Sequence, residues 1–217
     1  MSKLNLAGVA ALLAAPLTII AAALVIPTLS DDPGDQVAAL IDHRTAMLAG
    51  MTLQTITIAL MIGGTIWLAF ALASRAPQLA SVGGVLAVGG ALIVLFIDSV
   101  HAAAATVALG VDPAQAIPTV HRIVTSAAVS VLEPLQMLQD LGFVLLGIAA
   151  AKAGAPRSAA AAIVIGALGE GAGFAAGSKP LVIAAFAVLL AGLVPTVRAL
   201  TRTSAPLRSR PLETAAA

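Results

Sequence analysis

The chain has 217 residues, of which 60% are hydrophobic and 10% charged, a balance outside that of soluble domains and typical of an integral membrane protein. The formal net charge is +1 with no run of like charges, so the electrostatic footprint of a nucleic-acid-binding protein is missing. Cysteine is absent, which removes disulfides, thiolate metal sites, iron–sulfur clusters and cysteine nucleophiles.

A membrane-crossing helix needs about 20 predominantly apolar residues, and six segments meet that length. They are predicted near residues 5–29, 45–73, 80–109, 118–151, 158–176 and 180–200. The fold expected is therefore all-α, a polytopic membrane helix bundle of six transmembrane helices. Lys3 followed by an apolar run has the look of a secretory signal, but the run is long, and the segment reads as an uncleaved first helix. The breaks carry turn residues, as at Ser74-Arg75-Ala76-Pro77, Lys152-Ala153-Gly154-Ala155-Pro156 and Gly177-Ser178-Lys179-Pro180.

Orientation follows from Lys and Arg. With both termini cytoplasmic, eight basic residues lie inside and three (Arg44, Arg122 and Lys179) outside. The expected location is the plasma membrane of a bacterium. Residues 201–217, with Arg202, Arg208 and Arg210 among Ser, Thr and Pro, read as a disordered basic cytoplasmic tail near anionic lipid.

This topology sets the depth of the polar residues. In span two, His43 and Arg44 lie at the outer rim and Gln54 about three turns below. In span three, Asp98 and His101 are three residues apart, hence on one helix face towards the outer end. Span four places His121 and Arg122 at the outer interface, Glu133 near mid-membrane and Asp140 deeper, with Glu133, Gln136 and Asp140 forming a stripe that lipid would not tolerate. Pro134 removes a backbone hydrogen bond there and predicts a kink. Span five brings Glu170 into the outer half, within Gly169-Glu170-Gly171-Ala172-Gly173, whose glycines suit close helix packing. Trp67 anchors the inner boundary.

Each intramembrane carboxyl is by default a functional hypothesis because its charge is costly in hydrocarbon. A polar cavity in the outer half accounts for them together. Asp98 with His101 fits an acid–base pair, two ligands of a metal, or a structural tie between helices. Glu170, if unpaired, fits a general acid or proton carrier. Arg44, Arg122, His43 and His121 are candidates for holding a substrate headgroup or membrane lipid, set against simple snorkelling. Asp140 and Gln136 could extend a proton path inward.

Asp32-Pro33-Gly34-Asp35-Gln36 leading to His43-Arg44, and Asp112-Pro113-Ala114-Gln115 leading to His121-Arg122, hint at a duplicated hairpin related by an axis along the membrane normal. In general look, with His-Arg opening span two and Ala/Leu/Val-rich helices, the chain resembles multi-helix integral membrane proteins of high-GC bacteria. That resemblance implies a membrane fold and no activity, cofactor or site residue.

Three functional classes follow. The first is an intramembrane acid–base enzyme (isomerase, cyclase or hydrolase) on a lipophilic small molecule such as an isoprenoid or lipid, with Asp98, Glu170, Glu133 and His101 catalytic and Gln54, Gln136 and the outer-rim residues binding substrate, without a cofactor. The second is a proton- or metal-ion-coupled transporter, which would call for a homo-oligomer to build its pathway. The third is a haem- or metal-binding subunit, with His101, Asp98 and Glu170 as ligands. No H-E-x-x-H, G-x-S-x-G or P-loop is present.

Overall fold

The structure is a computed structural model that describes residues 3–27 and 33–203. It is an all-α polytopic bundle, with no strand among the described residues. Six segments are long and apolar enough to cross a membrane, one for each expected span, so the protein is a multi-pass membrane protein. In chain order the helices are α1 (Lys3–Val25), α2 (Pro33–Asp42), α3 (Arg44–Ala73), α4 (Pro77–Gly110), α5 (Pro113–Val124), α6 (Ala127–Leu132), α7 (Met137–Lys152), α8 (Arg157–Ala175) and α9 (Lys179–Thr203), with a 3-10 turn at Glu133–Gln136 between α6 and α7.

Three helical hairpins, α1/α3, α4/α7 and α8/α9, make up the bundle. They join edge to edge through α3/α4, α7/α8 and α1/α9, closing a ring in which each spanning helix packs against its neighbours in the chain. Lipid tails are as apolar as leucine, so packing within a bilayer is driven by close van der Waals fit rather than by water. A glycine sits where the partners of each hairpin approach: a Cβ at Gly64 would lie 2.4 Å from the Leu12 Cα, one at Gly142 2.3 Å from the Ala87 nitrogen, and one at Gly166 2.7 Å from the Leu189 nitrogen. Around these contacts Leu12, Leu68, Phe143, Leu146, Ile163 and Leu189 are fully buried. Phe70, Val85 and Val131 point outward, as lipid-facing side chains must.

The turns close by ordinary chemistry. Gly154 and Gly177 take positive φ values of 92° and 58°, and the Ala155 and Ser178 amides reach back to the Ala150 and Gly173 carbonyls, ending α7 and α8 as Schellman-type caps with Pro156 and Pro180 just beyond. Arg75 donates to the Ala153 carbonyl at 2.6 Å at one end of the bundle. Lys179 donates to the Ile26 carbonyl at the other.

Three features differ from the sequence reading. The fourth span is not continuous over 118–151. It breaks at Thr125-Ser126 and again at the 3-10 turn, the second break being the one expected from Pro134, which has no amide to offer the ladder. Pro33–Asp42, between spans one and two, also form a helix, α2, which the six-span reading did not include. In the second Asp-Pro motif, the Asp112 side chain accepts from the Ala114 amide at 2.9 Å with Pro113 at the first helical position, a strong helix-start arrangement. Helices α2 and α5 pack on each other and on α4, and Val37, Leu40 and Ala116 turn inward into a small apolar cluster separate from the main core. At the far end, α9 runs to Thr203, past the boundary expected at 200; the remainder of the predicted tail lies outside the described residues.

Candidate functional site

The ring encloses a cavity of about 580 Å³ whose lining draws on all six spans. All four intramembrane carboxylates meet there. Asp98 and His101 enter from α4, Glu133 and Gln136 from the 3-10 turn, Asp140 from α7, Glu170 from α8 and Gln54 from α3. The cavity occupies the half of the bundle nearest the C-terminal end of α1, which is the outer half in the topology set by Lys and Arg.

Burial grades the site from floor to mouth. Glu170 (6% exposed) and Gln139 (7%) form the floor. Asp98, Asp140, Gln54 and Gln136 are half-buried in the walls, and His101 and Glu133 lie at the exposed mouth. At the floor, Gln139 Nε2 donates to Glu170 Oε1 at 3.1 Å, while Glu170 Oε2 is buried without a partner. Such an atom is costly to leave unmatched. Asp140 acts on Glu170 electrostatically from α7, and Glu133, on the 3-10 turn, acts likewise on His101 of α4.

Packing fixes these positions. A Cβ at Gly90 would lie 2.3 Å from the Gln139 nitrogen, so this glycine lets α4 press onto α7 and hold Gln139 against the floor. The glycines around Glu170 divide their work. Gly169 and Gly173 face Ala185 and Val182 of α9, whereas a Cβ at Gly171 would lie 2.5 Å from Asp140 Oδ2. Gly171 therefore provides the room in which the Asp140 carboxylate sits. Between α1 and α3, the Thr57 and Thr18 hydroxyls are 2.7 Å apart, with Thr57 on the cavity wall.

Some predicted residues stand elsewhere. His43 and Arg44 are exposed at the start of α3, and His121 and Arg122 are exposed in the last turn of α5; none of the four lines the cavity. Gln136 lines it, but its Nε2 donates to the Glu133 carbonyl at 3.1 Å, capping the 3-10 turn. Among the described residues, no group of three or more His, Asp or Glu side chains is arranged to hold a metal ion, so His101, Asp98 and Glu170 share a cavity without forming such a cluster. Apart from Thr57, the rest of the wall is apolar, including Met61, Phe174 and Phe186.

Gln139 is the site residue that the sequence reading missed. The stripe Glu133, Gln136, Asp140 assumes an unbroken helix, but the 3-10 turn advances with about 3.0 residues per turn in place of 3.6 and shifts the angular register for everything after Pro134. A second amide adjoining an intramembrane acid, as in Gln139-Asp140, is the signal that would have found it. Comparisons with protein-family models, curated proteins and solved structures found no match.

Proposed function

We propose that the protein is an intramembrane acid–base enzyme acting on a lipophilic small molecule such as an isoprenoid or lipid, in the outer half of a bacterial plasma membrane. The observation that carries this reading is the unpartnered Glu170 Oε2 in a largely apolar cavity shared with Asp98, His101, Glu133 and Asp140. Because Gln139 donates to Oε1, that oxygen serves as the acceptor and Oε2 is left to carry the acid proton.

In the proposed reaction, an isomerisation, Glu170 gives this proton to one carbon of a double bond. Asp98 takes a proton from the carbon bonded to the other end of that double bond, so the double bond moves by one position and the substrate gains and loses one proton. His101 and Glu133 position the base at the mouth and Gln54 hydrogen-bonds the polar part of the substrate; between turnovers Asp98 gives up its proton to solvent, and Asp140 takes one from solvent and passes it to Glu170, which restores both groups. Met61, Phe174 and Phe186 favour a hydrocarbon skeleton beside these groups.

Incubation of the protein in nanodiscs with lipid and isoprenoid extracts in deuterated water tests this reading. Solvent deuterium should enter carbon positions of one lipophilic component, and Glu170→Gln should lower that rate by about a hundredfold or more, the usual worth of a positioned general acid. No incorporation, together with Glu170-dependent proton flux into liposomes, would instead support a proton-coupled transporter. The broken fourth span lining the cavity favours that reading as the second one.

A further inference from the structure

A second cavity, of about 390 Å³, lies beneath α2 and α5, and nine of its eleven lining residues have apolar side chains, the other two being Gln54 and His101. Val37 and Leu40 of α2 and Val120 and Val124 of α5 roof it, and Met47 and Met51 of α3 form one wall. Gln54 and His101 line both this cavity and the carboxylate cavity, so the two spaces meet at one pair of polar side chains. A water-filled vestibule would call for polar partners. Away from the junction the side chains that face this space are Ile, Val, Leu, Met and Ala, and the two polar side chains, Gln54 and His101, stand at the junction itself.

From this continuity we propose that the chamber beneath α2 and α5 binds the hydrocarbon tail of an amphiphile whose polar or unsaturated end reaches past Gln54 and His101 into the carboxylate cavity. The proposal rests on the acid–base reading and narrows its substrate class. Compact hydrophobic molecules would leave the chamber empty, whereas a tailed alcohol or lipid fills both spaces. Each volume lies within the range of ordinary ligand pockets. In the outer-side topology, α2 and α5 stand at the outer end of the bundle with Val37, Leu40 and Ala116 turned into one apolar cluster, which would place the chamber within reach of an amphiphile in the outer leaflet.

Photolabelling of the full chain in nanodiscs tests this, using an isoprenoid alcohol and a straight-chain alcohol of matched length, each with a diazirine at the tail end. Expected is labelling of the peptides that carry Met47–Met51 and Val120–Val124 by at least one probe, the stronger probe identifying the tail as isoprenoid or acyl. Ala105→Trp, which fills the chamber from the α4 side, should reduce labelling about tenfold, equivalent to 1.4 kcal/mol of binding. Met51→Trp fills it from α3 and gives the same reading if the Ala105 variant fails to fold. Labels spread over outward residues such as Phe70 and Val85, and insensitive to either tryptophan, would overturn the proposal. Chamber labelling without solvent-deuterium incorporation would uphold the tail site and sink the acid–base reading; incorporation without chamber labelling would do the reverse.

Discussion

Glu170 and Gln139 form the one buried polar contact between side chains at the floor of the cavity, and their chemistry is asymmetric. Replacing Gln139 with Leu leaves both carboxyl oxygens without a donor, and the variant should lose about 1–3 kcal/mol of stability, visible as a lower midpoint in thermal unfolding in detergent. Glu170→Gln keeps a hydrogen-bonding group on the floor and should fold as wild type while losing turnover. Gly171 supplies a subtler probe. Its missing Cβ faces the end of a movable side chain, Asp140 Oδ2, so Gly171→Ala should shift the carboxylate with little change in unfolding midpoint and should slow the reaction. A wild-type rate in that variant would remove Asp140 from the proposed proton return. The sequence alone pointed to Glu170 through its cost in hydrocarbon, but which oxygen is partnered depends on a residue thirty-one positions away, and no local pattern encodes that.

At the scale of elements, span number and length were legible because twenty apolar residues have few other stable arrangements. Which face of each span turns inward was not. Apart from the polar faces of spans three and four, the spans are apolar all round, so periodicity gave no inner face for the others, and convergence of Asp98, Glu133 and Glu170 could be inferred only in depth. The helix–helix contacts are written in small residues instead, and their partners emerge only in three dimensions. Gly142→Leu would drive a side chain into the Ala87 backbone, which cannot give way as a side chain can. It should cost about 1–3 kcal/mol or more and reduce the yield of folded protein. The amphipathic helices were hidden for another reason: Asp-Pro is shared by loops and helix starts, and the choice is made by the apolar residues that follow, Val37 and Leu40 in α2 and Ala116 and Val120 in α5.

For the whole molecule, residues from all six spans of one chain line the carboxylate cavity. The orientation can be checked directly because the chain lacks cysteine and any introduced thiol is unique. Asp42→Cys and Gln115→Cys should react with a membrane-impermeant maleimide from outside intact cells, and Ser74→Cys and Lys152→Cys only after the membrane is opened. The reverse pattern would place the cavity in the inner half.

The closed ring also bears on biosynthesis. Because successive spans are neighbours, each can dock on the one inserted before it, and only the α1/α9 seam joins the first span made to the last. Until α9 arrives, the partly built wall bearing Asp98, Glu133, Asp140 and Glu170 stands open along one side to the bilayer. A nascent chain stalled before residue 179 thus presents acidic groups laterally to lipid, where their charge is costly.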